Sequence, residues 1–325
     1  VPDSGCGSWL LEPQSTNLIP YSEDFSQWTK INYTVQSNVG ISPSGNNDAS
    51  SLTNPSGGGG VIKQNIPVTA STNYIFSFYA KRGTASDVKY SIYDNTNGGN
   101  IIAYYSQLNS STFTRVTVSF TIPVGCTSIA VYILRDSVAA GTVFVWGAQL
   151  EQQTFSTSYI LTSGSTVTRA AETLTNAGSS DLINSTEGVL YAETSNVAKG
   201  LTSIISLTDG SNNERVMIYF ANNLTLQFYI RVNSVYVAII TIPSNQINFE
   251  DTNKIAIKYK TNDMSFWLNG TKVATDTSGT MFSPNTLTQL GFNSGSSGNF
   301  YGETREIKLF SQALTDQELQ ALTQV

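Results

Sequence analysis

Seven short runs rich in Val, Ile, Tyr, Phe and Thr follow one another at residues 61–66, 73–81, 88–93, 101–107, 113–122, 128–135 and 143–151, with turn-forming residues between them. No helical period interrupts the series. Strands this short at this spacing pair antiparallel and stack as a sandwich. In 73–81, Tyr74, Phe76 and Phe78 share one face while Ile75, Ser77 and Tyr79 share the other. The last run, Val143-Phe144-Val145-Trp146-Gly147-Ala148-Gln149-Leu150-Glu151, is apolar on both faces up to its glycine, where the register changes. That places it as a closing inner strand between two layers, against which the earlier strands pair.

A second β-rich series begins at Gly188-Val189-Leu190-Tyr191, with strands near 201–207, 215–220, 224–232, 235–242, 254–259, 264–268, 271–274, 287–292 and 304–310. Asn269-Gly270 predicts a two-residue hairpin, since both central positions of a type I′ turn need positive φ. Thr315-Asp316-Gln317-Glu318 reads as a capping box, with Leu314 and Leu319 as the hydrophobic staple of the one helix expected. Residues 163–185 lose alternation and mark the natural boundary. A chain of 325 residues also exceeds what one core usually holds. The expected fold class is all-β: two β-sandwich (jelly-roll) domains in tandem with a short C-terminal helix. Its parts are an extended N-terminal arm over 1–16, a first sandwich over 17–162, a linker over 163–185 and a second sandwich over 186–325. The Ser/Asn/Gly-rich stretch 42–60, which ends in Gly57-Gly58-Gly59-Gly60, reads as a flexible surface loop. No Lys-Ser/Thr follows it, so it is no phosphate loop.

Only 12% of the residues are charged against 40% hydrophobic, so the solvated faces must be built from Ser, Thr, Asn and Gly. A net charge of −6 without a Lys/Arg cluster argues against nucleic acid and against an anionic membrane surface. No apolar run approaches the roughly 20 residues that span a bilayer, so no membrane insertion is expected, and residues 1–8 lack the regions of a secretion signal. The first residue is Val, which reads as a processed or excised piece of something longer. Cys6 and Cys126 could pair or remain two thiols, and a protein with large cores needs no staple. The absence of histidine removes Ser-His-Asp and Cys-His catalysis together with the usual zinc sites.

Three stretches carry a resemblance: Asn17-Leu18-Ile19-Pro20-Tyr21-Ser22-Glu23-Asp24-Phe25-Ser26-Gln27-Trp28, Phe76-Ser77-Phe78-Tyr79-Ala80-Lys81, and Val145 to Glu151 followed by Thr157-Ser158-Tyr159-Ile160. Together they resemble a carbohydrate-binding-module-like jelly roll that recurs in tailed-phage fibre and structural proteins. Leu10-Leu11-Glu12-Pro13-Gln14-Ser15-Thr16 resembles the segment that commonly precedes it. The close of the chain, from Lys308 to Leu319, with the Trp267-Leu268-Asn269-Gly270 hairpin, is similar to concanavalin A-like, laminin-G-type domains. In glycan-binding relatives an acidic residue often follows the aromatic of the last strand and helps hold a structural calcium; this chain has Gly147 there.

Sugars are recognised by aromatic faces flanked by amides, hydroxyls and a few charges. Tyr79, Lys81, Arg82, Tyr93, Asp94 and Tyr132 alternate away from the apparent core of the first sandwich or sit at strand ends, and form the candidate glycan-binding face. Packing of the same tyrosines is the competing reading. Trp28, Trp146 and Trp267 are assigned to packing. Trp9, with Leu10 and Leu11, lies on the arm outside either sandwich and is the candidate subunit contact. Asp209, Asn212 and Glu214 make an oxygen-rich loop where a structural calcium could bind, although a polar turn explains it without metal. A hydrolase needs two carboxylates about 5 to 10 Å apart. Glu303 and Glu306 are sent to opposite faces by a regular strand, and the neighbours Glu23-Asp24 and Glu250-Asp251 diverge likewise. No catalytic residue is assigned, and no cofactor is expected beyond that calcium.

These readings predict a virion surface protein of a tailed phage, a tail or head fibre or decoration protein assembled in the host cytoplasm and exposed on the particle. It would bind host-surface polysaccharide or glycan non-covalently, with other virion proteins as partners, as a homo-oligomer and by analogy with phage fibres a trimer. Two alternatives stay open. One is a purely structural virion protein whose sandwiches bind protein; the other is a glycan lyase or hydrolase.

Overall fold

The computed structural model describes residues 7–55, 59–85, 87–107, 111–135, 140–174, 177–196, 198, 200–295 and 298–325. The chain divides into two units, Gln14–Ala170 and Ala171–Val325, the second joined by residues 7–13. The fold is all-β, two sandwiches in tandem and a C-terminal helix. Cys6 lies outside the described residues, as do Gly57 and Gly58. Cys126 is a buried thiol whose Sγ lies 3.4 Å from the Ser128 carbonyl.

The first strand, β1 (Trp9–Leu11), belongs to the second unit. The first unit contains β2 (Ser15–Asn17), β3 (Thr29–Ile31), β4 (Thr34–Gly40), β5 (Ala49–Asn54), β6 (Val61–Pro67), β7 (Asn73–Arg82), β8 (Asp87–Asp94), β9 (Asn100–Gln107), β10 (Thr114–Thr121), β11 (Ser128–Arg135), β12 (Gly141–Glu151) and β13 (Val167–Arg169). Two antiparallel five-stranded sheets, β10-β7-β12-β5-β4 and β3-β6-β11-β8-β9, form its layers, and β13 pairs β2. Phe76, Phe78, Val143 and Val145 of one sheet meet Ile62, Ile92, Val131 and Ile133 of the other in the core. Each such burial is worth about 2 kcal/mol. The strand β12 sits in the middle of its sheet, as its two apolar faces require. It does not stop at Gly147: that residue adopts φ +62° and forms a bulge between Trp146 and Gln149, after which pairing with β7 resumes.

Residues 42–60 depart from the expected loop. Within them β5 pairs directly with β12, and Ala49, Ser50, Ser51 and Leu52 are all buried. Ala-Ser-Ser-Leu-Thr-Asn has little apolar alternation. Its small side chains fit a crowded inner position that bulkier β-formers would overfill.

Within the stretches that carry the resemblance, Asn17, Gln149, Glu151 and Thr157 form a buried polar clasp. Asn17, fully buried, donates from Nδ2 to the Ala148 and Ile160 carbonyls, and its Oδ1 accepts from the Ile19 and Leu150 N–H groups. The Gln149 Oε1 accepts from the Ile160 N–H at 2.7 Å. The buried Glu151 carboxylate accepts from the Ser15 and Thr157 hydroxyls at 2.6 and 2.5 Å. The clasp ties β2, the end of β12 and the segment after it into one closure, and every interior polar group named here has a partner.

The second unit contains β14 (Glu187–Ser195), β15 (Ser203–Thr208), β16 (Arg215–Phe220), β17 (Leu226–Val232), β18 (Val235–Ile242), β19 (Asn253–Lys260), β20 (Met264–Leu268), β21 (Thr271–Asp276), β22 (Gln289–Gly291), β23 (Gly302–Phe310) and α1 (Asp316–Thr323). Its sheets are β1-β23-β14-β19-β20-β21 and β18-β17-β16-β15-β22, all antiparallel. Ile205, Ile218 and Phe228 pack against Leu190, Ile257 and Phe266 in the core. Asn269 and Gly270 both have positive φ, the type I′ geometry expected between β20 and β21. Leu319 of α1 is buried among Val189, Tyr191, Ala256 and Trp267.

The expected arm and linker are both partly strand. β1 pairs β23, and β2 pairs β13 inside residues 163–185. Three-residue strands have no periodicity to read; β1 forms on the free edge of β23, and β2 and β13 form only by pairing with each other. Thr315 and Glu318 close a reciprocal capping box, and the Thr315 hydroxyl and N–H hold the Glu318 carboxyl below its usual pKa. Thr315→Ala should lower stability by about 1 kcal/mol at neutral pH. Because the folded-state pKa of Glu318 is depressed, its share is present above the unfolded carboxylate value and is lost as pH falls through the folded one. Urea unfolding of parent and variant across this range should therefore converge on acidification. A gap that is constant with pH would refute the carboxylate's part in it.

Candidate functional site

In the first unit, alternation along β7 and β12 sends Phe76, Phe78, Val143 and Val145 inward and leaves Tyr79, Lys81, Phe144 and Trp146 on the outer face of the same sheet. There Trp146 is nearly buried, between Tyr79 at 5.4 Å and Tyr159 at 4.3 Å between ring centroids. The Arg115 guanidinium lies 5.6 Å from the Tyr79 ring and donates from Nη2 to the Ser77 hydroxyl. Lys81 Nζ sits 4.9 and 5.0 Å from the Phe113 and Phe144 rings. Tyr79, Lys81 and Phe113, with Ile41, Ser42 and Pro43, line an open hollow of about 370 Å³. The Arg115 Nε–H and Trp146 Nε1–H are buried without an acceptor.

At the other end of this aromatic row, Tyr159 donates to Glu23 at 3.0 Å and shares a hydrogen bond with the Ser22 hydroxyl. Burial pushes the Glu23 carboxyl up, opposed by the Tyr159 hydrogen bond and aided by the nearby Asp48 charge. Burial likewise pushes the Tyr159 phenol far above its ordinary value. The face is thus a hydrophobic, ring-lined strip with two cations toward one end and an acid at the other. It can stack a flat apolar ligand face and pair with its hydroxyls.

Of the six residues expected on one face, the structure brings together Tyr79 and Lys81. Tyr93 and Tyr132 lie on the outer face of the opposite sheet, since Ile92 and Val131, their neighbours in sequence, point into the core. Tyr132 is buried, with Lys63 Nζ 5.4 Å from its ring. Asp94 is a turn residue: its carboxylate accepts from the Thr96 and Asn97 N–H groups, and those bonds, Asn97's first, hold it below the usual range. Arg82 is exposed at the end of β7. Arg115 and Phe113 are not singled out by the sequence; Tyr159 enters there only within the resemblance, Glu23 only as one of a diverging carboxylate pair, and Trp146 as a packing residue, which at 5% exposure it also is. For Trp146 the signal existed, because the alternation that puts Val145 inward puts it beside Tyr79. Trp28 and Trp267 are buried, and their indole N–H groups donate to the Tyr21 carbonyl and the Ser265 hydroxyl.

The oxygen-rich loop of the second unit is engaged with protein donors. Both Asp209 oxygens accept from the Ser211 hydroxyl, Asn212 Oδ1 accepts from Arg215, and Glu214 Oε1 accepts from the Asn233 N–H. The cation that this loop holds is a guanidinium, so the three residues are not gathered round a calcium position. Among the described residues no group of three or more His, Cys, Asp or Glu side chains is placed to hold a metal, and no helix is long and apolar enough to cross a membrane.

A β-sandwich that shows a ring-lined outer sheet face with cations beside it is built in the manner of carbohydrate-recognition modules. Residues 21–136 match the family model described as carbohydrate binding domain, and residues 191–320 match that of the concanavalin A-like lectin/glucanases superfamily. The chain combines a carbohydrate-binding module with a concanavalin A-like domain. No curated protein matches it. Among solved structures it is similar to the CBM40 module of the Ruminococcus gnavus IT-sialidase, at 16% identity over 43% of this chain and 84% of that one, TM-score 0.37. It is also similar to the leech intramolecular trans-sialidase, at 23% identity over 47% and 26%, TM-score 0.38. A third is the enzymatically active domain of bacteriophage CBA120 tailspike protein 4, at 17% identity over 39% and 20%, TM-score 0.33.

Proposed function

We propose that this chain is a glycan-binding surface protein of a tailed-phage virion, that it binds host-surface polysaccharide without a covalent step, and that the outer sheet face around Tyr79 is its first-unit contact. The observation that carries the binding reading is the aromatic row Tyr79-Trp146-Tyr159 beside the Lys81 hollow. The virion reading is supported by the resemblance of the 10–28 segment and of the clasp residues to phage fibre modules. In a multi-copy particle, weak contacts of this kind gain avidity from simultaneous engagement.

Tyr79→Ala should weaken binding of the best glycan from an array by about tenfold, the equivalent of roughly 1.4 kcal/mol. Tyr79→Phe should retain most of it. Tyr93→Ala, on the opposite sheet, should leave affinity unchanged. Equal affinities for the parent and Tyr79→Ala in calorimetry would remove this face from consideration.

The partnership with other virion proteins and the homo-oligomer, a trimer by analogy with fibres, belong to the same proposal. Their support is β1, the outermost strand of its sheet, on which Trp9 is 63% and Leu10 42% exposed while Leu11 packs toward the core. An edge strand with exposed apolar side chains is a natural subunit contact. Light scattering should show an oligomer for the parent chain and a monomer for the Trp9→Ser, Leu10→Ser double variant. A monomeric parent at micromolar concentration would end the oligomer reading.

A further inference from the structure

The five-stranded sheet of the second unit buries Ile205, Ile218, Phe228 and Ile230 on its core face. Its outer face therefore carries Arg215 and Tyr219 from β16, Tyr229 and Arg231 from β17, and Tyr236 from β18. These side chains border an open space of about 490 Å³. The three rings are contiguous, with Tyr229 5.6 Å from Tyr219 and 5.5 Å from Tyr236 between centroids.

Both arginines are fixed by one residue. Asn212 accepts from Arg215 Nη1 on its side-chain oxygen at 3.0 Å and from Arg231 Nη1 on its backbone oxygen at 2.8 Å. Arg231 also stacks on Tyr236, its guanidinium carbon 5.0 Å from the ring. Arg215 is only 8% exposed, and its Nη2 reaches no more than the Tyr236 hydroxyl, at 3.5 Å. The Nε–H of each arginine is buried without an acceptor. Neither makes an ion pair among the described residues, and Glu214, next in sequence to Arg215, has one oxygen on the Asn233 N–H instead.

A guanidinium held in position at the wall of this space, nearly buried and with no carboxylate partner, is costly to keep folded unless something outside the fold completes it. A guanidinium carries its N–H groups in one plane as a fork, the geometry that takes a two-oxygen anion bidentately. The rings alongside offer stacking for a sugar. We propose that this face is a second binding site, specific for an acidic glycan, in which Arg215 and Arg231 take the carboxylate of a uronic or ulosonic acid residue and Tyr229 supports its ring. All its residues belong to the second unit, so it does not depend on the reading of the Tyr79 face.

The test uses the full chain on an array that pairs carboxylated oligosaccharides (oligogalacturonate, hyaluronan and oligosialic acid) with their carboxyl-reduced twins and with neutral sugars bearing sulfate esters. Calorimetry on the strongest carboxylated member follows. The expected result is binding at least tenfold tighter than to the reduced twin, weakening as salt rises. It should be lost in Arg215→Gln and Arg231→Gln, and reduced about tenfold in Arg231→Lys, which keeps the charge without the fork. Arg231 is partly exposed, so its variants decide the matter should Arg215→Gln fail to fold. The proposal is overturned if no carboxylated member exceeds its reduced twin, if Arg231→Gln binds as the parent does, or if sulfate esters are preferred to carboxylates.

Discussion

Replacing Asn17 with alanine should lower the thermal transition of the first unit by about 10 °C and leave that of the second where it was. Asn17 uses all four of its hydrogen-bonding positions, at 2.9 to 3.1 Å, on backbone groups of Ile19, Ala148, Leu150 and Ile160. Alanine fills none of them, and it strands two buried N–H donors from opposite ends of the unit. Each stranded group carries a penalty of about 1 to 3 kcal/mol, so a total near 4 kcal/mol is expected. For a unit of this size that corresponds to roughly 10 °C. A shift of only a degree or two, measured by calorimetry on the full chain, would show that the clasp is dispensable and that β-sheet pairing alone closes the jelly roll.

The second large effect is expected in the other unit. Gly302 begins β23 where that strand meets β1 on one side and β14 on the other. A Cβ there would fall on the Ser195 carbonyl oxygen and lie 2.7 Å from the ring of Phe300, which is fully buried. Neither obstacle is a flexible side-chain tip. Gly302→Ala should therefore cost about 3 kcal/mol through backbone displacement and lower only the second transition. An unaltered second transition would mean that β23 can slide without loss, and the pairing of Leu11 with Gly302 would then carry little of the unit's stability. The two variants also form a pair of controls for the glycan experiments, since each weakens one unit at a time.

Much of the fold was legible locally. Most strands of both series were readable because alternation, flanking turn residues and the Asn269-Gly270 and Thr315–Glu318 signals are set by neighbours a few residues apart. The candidate sites were far less legible. Tyr79 and Lys81 were placed correctly on an outward face, but Tyr93 and Tyr132 alternate outward just as clearly on a different sheet. Alternation says that a residue leaves the core and is silent on which of two sheets it leaves. Arg215, Tyr229 and Arg231 carry no local signal of a site, and Asn212, which a calcium loop or a plain polar turn would equally explain, holds two arginines with its oxygens.

What the sequence determined by itself is therefore the all-β class, most strand positions, the hairpin turn and the capped helix, all of which follow from backbone preferences and side-chain period over a few residues. The tertiary structure alone decided that Ala49–Asn54 is an inner strand, that Trp9–Leu11 edges the second unit, that Asn17, Gln149, Glu151 and Thr157 form a clasp and that two arginines share one asparagine. Each of those rests on pairing between segments distant in sequence, where register and sheet membership are chosen by the packing of the whole core and leave no periodic trace in either segment.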